Sequence, residues 1–428
     1  MSLSYIWIFI LLLTAGTPVV FALLIGPGVS LMIDGKEVYL SALVNRLFSG
    51  MNSFPLMAVP FFILAGELMN QGGITQSIVR FSQTLIGHYR GGLAQVNILS
   101  SVLFAGLSGS AVADTSALGK MLIPAMEQNG YSRRFAAAVT AASSVIGPII
   151  PPSGIMILYA FIMNVSVAGM FLAGIVPGIM ICIGLMLVTS RIAKKRNYPV
   201  ANEKATWGQR GSAFKSSFLP LLTPVILLGG ILAGVFTPTE AAAVAVAYAL
   251  VVTLFITGTL KPKQLPLVLV NAAVQSGTIL LLVGSAVTFA WIITVSGMAD
   301  TLAQQITQIT SNVLLLLLII NIFLFAIGMF LDAGPAILIL GPVLAPIFIS
   351  LGIDPLHFAV IMCVNLTVGL ATPPMGLVLF VSASVSGEKT ENIAYEMLPF
   401  LAVEAFVIFL ITYFPAITMT LPRWFGFA

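Results

Sequence analysis

The sequence predicts an all-α, polytopic membrane protein built from two related halves, with two re-entrant helical hairpins and discontinuous helices. Three observations carry that expectation. Of 428 residues, 59% are hydrophobic and only 7% charged, whereas soluble domains carry about 25% charged residues. Mostly apolar runs of roughly 18 residues or more, enough to cross a bilayer core as helices, recur from end to end. Finally, one unusual stretch occurs twice. Its first copy runs from Ser108-Gly109-Ser110 through Asp114, Pro124 and Gly147 to Pro151-Pro152-Ser153-Gly154. The second runs from Asp332 through Gly334, Pro342 and Gly369 to Pro373-Pro374-Met375-Gly376. Ten residues separate Asp114 from Pro124 and Asp332 from Pro342, and GPIIPPSG recurs as GLATPPMG. Broken backbone and a carboxylate at membrane depth are sustained only where they are buried in protein or line a cavity. The two copies are therefore read as two halves of one ion and substrate site in a transporter.

The first half begins with an apolar helix over about 5–25, ending at Gly26-Pro27-Gly28. It has no basic residues before it and no small-residue cleavage site, so it reads as a retained helix and not a leader. Residues 29–50, with Asp34, Lys36, Glu37 and Arg46, are amphipathic and look interfacial. Residues 53–70 are apolar except for Glu67, and 74–90 form a more polar helix ending at His88-Tyr89-Arg90. A hairpin over about 93–130 is interrupted at Gly106–Ser110, and a broken helix follows over 134–163. A span at 167–190 ends in Arg191, Lys194, Lys195 and Arg196.

Residues 191–215 form a basic linker, placed in the cytoplasm by its positive charge. It divides a first repeat, 1–190, from a second, 216–428. Spans follow at 217–236 and 239–257, then a loop with Lys261 and Lys263, then a span at 266–297. The second hairpin is expected over about 312–350, the second broken helix over 356–385 and a last span over roughly 399–420. With both 191–215 and Arg133/Arg134 inside, the two repeats cross the membrane in opposite senses, a common plan for secondary transporters.

The net charge of +4 marks loops between apolar runs and gives no nucleic-acid signal. Cys182 and Cys363 lie in apolar helices far apart and read as free thiols. A carboxylate in an apolar span costs about 2.5–3.5 kcal/mol on insertion scales. Asp114 and Asp332 therefore point to a bound cation, sodium being served by carboxylates, hydroxyls and freed carbonyls. The plainer alternative is that each caps a hairpin helix or pairs with a neighbour such as Lys120. Ser108, Gly109 and Ser110, with Thr115 and Ser116, read either as a flexible tip over ion and anion or as close small-residue packing. Each Pro-Pro pair removes two amide donors and frees carbonyls one turn earlier; a plain kink is the alternative. With no arginine in either copy, an anionic substrate is expected on half-helix amides and on Ser110, Ser153 and Thr372. Thr237-Pro238-Thr239-Glu240 is read as a capping box, Glu67 reads as either a structural intramembrane pair or a subunit contact, and His88 and His357 make no metal site.

No G-x-x-x-x-G-K-S/T motif for nucleotide binding is present, nor H-E-x-x-H or G-x-S-x-G. Two intramembrane aspartates raise an aspartyl protease as an alternative, using Asp114 and Asp332. Such proteases carry G-x-G-D, however, and here Asp114 follows Ala-Val-Ala and Asp332 follows Met-Phe-Leu. An ion channel is the third class considered. No enzyme activity is expected.

GYSRRFAAAVTAASSVIGPIIPPSG (130–154), PFFILAGELMNQGG (60–73), SGSAVADTSALGKMLIPAM (108–126) and FTPTEAAAVAVAYAL (236–250) resemble the large membrane subunit of tripartite ATP-independent periplasmic (TRAP) transporters. The likeness covers nearly the whole chain and leans toward the sialic-acid branch. It implies a multi-pass subunit of the bacterial inner membrane that imports a small organic anion, mostly a carboxylate, by an elevator-type mechanism coupled to sodium influx. It implies no organic cofactor and Na+ as coupling ion. Ions would lie near Ser108, Gly109, Ser110, Asp114, Ser143, Gly147, Gly328, Asp332, Gly334, Asn365, Gly369 and Thr372. Substrate would lie near Ser110, Pro152, Ser153, Thr372 and Pro374. The implied partners, besides membrane lipid, are a small membrane subunit, expected as a separate chain, and a periplasmic substrate-binding protein.

Overall fold

A computed structural model describes residues 4–199, 204–298, 301 and 312–427; positions 200–203 of the predicted linker lie outside the described residues. Among the described residues every regular element is helical, and eight helices are long and apolar enough to cross a membrane. The stretch expected as one helix over 5–25 is two, α1 (Ser4–Thr14) and α2 (Val19–Ile33), packed on each other. The break falls at Gly16, which has φ of 81°, and Pro18, which disfavours helical backbone at the preceding residue. Pro27, at the expected end, instead lies inside α2.

One group of helices forms around α4 (Ala58–Gln71), which packs on α12 (Pro238–Leu250) and α13 (Leu265–Ser296). α2 and α3 (Leu40–Met51) also rest on α13, and α5 (Ile74–Ile86) pairs with α11 (Trp207–Leu232). The segment expected as interfacial over 29–50 is divided, residues 29–33 ending α2 and the rest reaching α3; the α3 Arg46 guanidinium lies 6.0 Å from the Trp291 ring centroid. α12 starts with the expected box. The Thr237 amide donates to Glu240 Oε2 at 2.8 Å, and the Glu240 amide donates to Thr237 Oγ1 at 3.3 Å.

The second group holds the repeated stretches. Hairpin 1 is α6 (Gly92–Ser108) and α7 (Ala111–Gln128), followed by α8 (Arg133–Ser144), a non-helical turn, α9 (Gly154–Met163) and α10 (Val167–Lys195). Hairpin 2 is α14 (Val313–Phe330) and α15 (Ala333–Ser350), followed by α16 (Pro355–Gly369), a second turn, α17 (Leu377–Ser386), α18 (Thr390–Tyr413) and α19 (Ala416–Trp424). The last long span thus begins at Thr390 and not near 399, because Pro399 is accommodated inside α18.

One offset of 222 residues (332 less 110) relates the two sets of elements. α7 and α15 begin and end that far apart, and the same step links Gly147 to Gly369, Pro152 to Pro374, and Pro177 inside α10 to Pro399 inside α18. Both Pro151-Pro152 and Pro373-Pro374 are cis. The offset corrects one expectation. Asp332 corresponds to Ser110 and not to Asp114, and Pro124 corresponds to Pro346 and not to Pro342. The equal ten-residue spacings arise because α15 carries two prolines one turn apart.

The halves interlock. α9 packs on α15 of the other hairpin, and α17 packs on α7 and α8. At one end Glu396 of α18 pairs with both Arg134, at 3.3 Å, and Arg196, at 2.8 Å, tying α8, α10 and α18 together. Cys182 and Cys363 are free and buried, as expected.

Candidate functional site

Hairpin 1 turns at Gly109, whose φ of 58° suits a residue without a side chain, and Ser110 caps α7 by accepting from the Ala113 amide at 3.4 Å. Asp114 lies one turn into α7 and is wholly enclosed. Its Oδ1 accepts from the Ser108 hydroxyl, while Oδ2 has no protein partner. Oδ2 faces Gly147 in the turn between α8 and α9, where a Cβ would collide with it. Gly147 is therefore the position that lets the carboxylate reach the broken backbone. A hydroxyl network surrounds this point: Ser101 donates to Ser143 at 2.9 Å, and Thr115 and Ser144 share a 2.6 Å hydrogen bond.

The second copy uses different chemistry in the same frame. Asp332 caps α15 by accepting from the Ala333 amide at 2.8 Å, and is exposed at the hairpin tip. The enclosed polar group is Asn365, the counterpart of Ser143 by the 222-residue step (365 less 143). Its Nδ2 donates to Asn321 Oδ1 at 2.6 Å and to the Ile361 carbonyl at 2.8 Å, and its Oδ1 has no partner. Gly328 of hairpin 2 and Gly369 meet backbone to backbone, since a Cβ on Gly369 would come within 2.6 Å of Gly328 Cα. Each copy thus presents one buried, unpartnered oxygen beside its break. Buried acceptors are nearly always satisfied in folded proteins, by protein or by ordered water, so both oxygens have room in their hydrogen-bonding for a water or a cation. Among the described residues no three His, Cys, Asp or Glu side chains cluster.

Between the two helix groups lies a cavity of about 530 Å³. Its floor is formed by both hairpin tips and by the breaks, from Ser108–Ala113, Pro148, Pro152, Gly154, Asp332–Gly334, Leu370 and Leu377. The first turns of α7, α9, α15 and α17 therefore all open onto one space. Such termini carry roughly half a positive charge and some amides free of intrahelical partners; at α15 the Asp332 carboxylate already meets that charge. The lining holds no lysine, arginine or histidine; its charged residues are Asp332 and Glu67. Small anions bind readily at such helix starts.

Of the residues expected at the substrate, Ser110 and Pro152 line this cavity. Ser153 does not: its hydroxyl donates to the Pro148 carbonyl and it caps α9, which buries it. Thr372 is likewise turned inward, donating to the Val368 carbonyl at 2.9 Å. Pro374 lines a separate cavity between α17 and α18, with Thr390 and Tyr395. Of the expected ion residues, Ser108, Asp114 and Gly147 converge, and Ser143 sits in the adjoining hydroxyl network. In the other copy Gly328 and Gly369 meet, while Asn365, one turn before Gly369, is hydrogen-bonded to Asn321. Gly109, Ser110, Asp332 and Gly334 lie at the tips on the cavity itself. Asp114 and Asp332 share no hydrogen bond, one being enclosed and the other a cap, so they form no catalytic dyad. Residues not anticipated are Asn97, which donates to Thr140 at 2.6 Å, Asn321, and the opposite wall of the cavity, Asn70 and Gln275. A lone amide inside an apolar run, as in Leu-Ile-Ile-Asn321-Ile-Phe, was the available signal.

Residues 6–417 match the family model described as "Tripartite ATP-independent periplasmic transporter, DctM component". The chain belongs to this TRAP transporter family. It is 39% identical over 414 residues to the sialic acid TRAP transporter large permease SiaM of Vibrio cholerae, covering 97% of this permease and 96% of that protein. It is 35% identical over 404 residues to the C4-dicarboxylate TRAP transporter large permease DctM of Rhodobacter capsulatus, covering 91% and 92%. The fold of this permease is also that of MtrF from Neisseria gonorrhoeae, with a TM-score of 0.63 at 14% identity over 90% of this chain and 85% of that one. This permease is thus a multi-pass inner-membrane subunit of a secondary transporter and not an enzyme.

Proposed function

We propose that this permease imports a small carboxylate, of the sialic-acid or C4-dicarboxylate kind carried by its relatives, in symport with sodium. The observation that carries the reading is the convergence of four half-helix starts on one cavity without any basic side chain. Backbone dipoles attract a carboxylate without the tight ion pair that an arginine would form. The two enclosed oxygens, Asp114 Oδ2 and Asn365 Oδ1, supply the start of two sodium sites beside the breaks. Hairpins, broken helices, α10 and α18 move as one body past α4, α12 and α13, an elevator motion between inverted repeats. A small membrane subunit braces the latter group, and a periplasmic binding protein delivers the substrate.

Uptake in proteoliposomes containing the permease, its small subunit and the binding protein tests this. N-acetylneuraminate and succinate are offered under an inward sodium gradient, and under potassium alone. Accumulation that requires the sodium gradient supports the reading, whereas accumulation that follows a proton gradient or ATP instead removes it. Two sodium ions with a monoanion carry one net charge, so an inside-negative potential adds about 2.3 kcal/mol per 100 mV; succinate with two sodium ions lacks that dependence.

A further inference from the structure

The cavity wall opposite the hairpin tips carries a charge that the proposed cycle does not use. Glu67 of α4 lines the cavity and is half-buried. Its Oε1 accepts from Gln71 Nε2, one turn along, at 3.1 Å, and among the described residues no lysine, arginine or histidine pairs with it. The backbone of α4 meets the first hairpin at this level, since a Cβ on Gly66 would come within 2.7 Å of the Leu107 carbonyl. The next residues, Leu68 and Met69, are buried with Leu260 and Val268. By its positive charge, the adjoining loop with Lys261 and Lys263 is expected on the cytoplasmic side. A fixed negative charge therefore stands beside the hairpin tip, one turn before the end of α4 that packs with Leu260.

We infer that Glu67 is an anion-release residue: its charge lowers the affinity of the cavity for the transported carboxylate in this conformation and drives discharge into the cytoplasm. This rests on the reading that the cavity holds an organic anion. Because α4 belongs to the static group, the repulsion acts only when the hairpins stand beside it. The substrate escapes it once the hairpins move away. Two like charges facing each other across a partly hydrated cavity change affinity by about three- to tenfold. A Glu67 that instead accepted a hydrogen bond from a substrate hydroxyl would act with the opposite sign.

The test is a titration of the full chain, assembled with its small membrane subunit in nanodiscs at saturating sodium, with N-acetylneuraminate and separately with succinate. Glu67→Gln keeps an acceptor for Gln71 and removes the charge. It is expected to bind both anions about three- to tenfold more tightly, succinate gaining more because of its second charge. Asn70→Asp adds a charge on the same wall and is expected to weaken binding by a similar factor. It serves as an independent variant where Glu67→Gln does not assemble. Unchanged or weaker binding in Glu67→Gln, or unchanged or tighter binding in Asn70→Asp, overturns the inference. Wild-type protein that binds neither anion overturns the anion reading of the cavity itself.

Discussion

Replacing Asp114 by asparagine separates an ion ligand from a structural carboxylate. The carboxylate is fully enclosed, with one oxygen bonded to Ser108 and the other unpartnered beside Gly147. Asparagine has nearly the same shape and can still accept from Ser108, so the packing survives and only the charge is lost. A carboxylate about 4 Å from a cation interacts by about 4 kcal/mol at an effective dielectric of 20. Relief of the buried carboxylate's desolvation in the variant offsets part of this, leaving roughly 1.5–3 kcal/mol. That corresponds to about a 10- to 150-fold rise in the sodium concentration needed for half-maximal uptake. Thermal unfolding gives a second readout. Sodium at a hundred times its dissociation constant stabilises the folded state by about 2.7 kcal/mol. The wild type is expected to melt higher in sodium than in potassium chloride, and Asp114→Asn to lose most of that difference while melting no lower in potassium. An Asp114→Asn protein with unchanged sodium half-saturation, or one equally destabilised in both salts, would show that the carboxylate serves only the hairpin.

Three further outcomes follow from the geometry. Gly147→Ala drives a methyl group into Asp114 and is expected to cost about 1–3 kcal/mol of stability by overpacking and to abolish sodium-dependent uptake; Gly211→Ala, in open space within α11, is the matched control and should be neutral or slightly stabilising in melts. Glu396→Gln leaves Arg134 and Arg196 without their shared partner; both arginines are well hydrated, so thermal unfolding should fall by only about 1–2 kcal/mol, with sodium half-saturation unmoved. Asn365→Ala removes two buried hydrogen bonds and the unpartnered oxygen of the second copy. It should cost about 1–3 kcal/mol in melts and raise the sodium requirement, measured by the same uptake titration.

Breaks in helical pattern were the most legible features in the sequence, because glycine and proline act locally. Both hairpins, both broken helices and the Thr237 box follow from residues that cap or interrupt helices wherever they occur. The pairing between copies was less legible. Pro342 and Pro346 lie one turn apart on α15, and either can be matched to Pro124. Only the whole run of elements shows that Asp332 stands where Ser110 does. Side-chain direction was not legible either. Ser153 and Thr372 have suitable chemistry beside the breaks, but turn their hydroxyls to their own backbone. Glu404 lies wholly enclosed in α18 without a hydrogen-bond partner, and its surroundings were equally invisible in an apolar string. The cavity wall opposite the hairpin tips is assembled from α4 and α13, some 200 residues apart (275 less 70), so no local pattern marks it.

The crossed packing of α9 on α15 and of α17 on α7 also governs how the chain is made. When the first repeat leaves the ribosome and inserts, α7 and α9 pack on first-repeat neighbours such as α8 and α10 but lack these two partners until Ala333–Ser350 and Leu377–Ser386 have been synthesised. The hairpin and the broken helix of the first repeat must wait in the bilayer half-assembled, a state exposed to mispairing and proteolysis. Neither repeat therefore constitutes a folding unit by itself. The linker expected over 191–215 is shorter, since α10 runs to Lys195 and α11 begins at Trp207. Two fragments cut between these helices, inert when expressed singly, should regain transport when produced together.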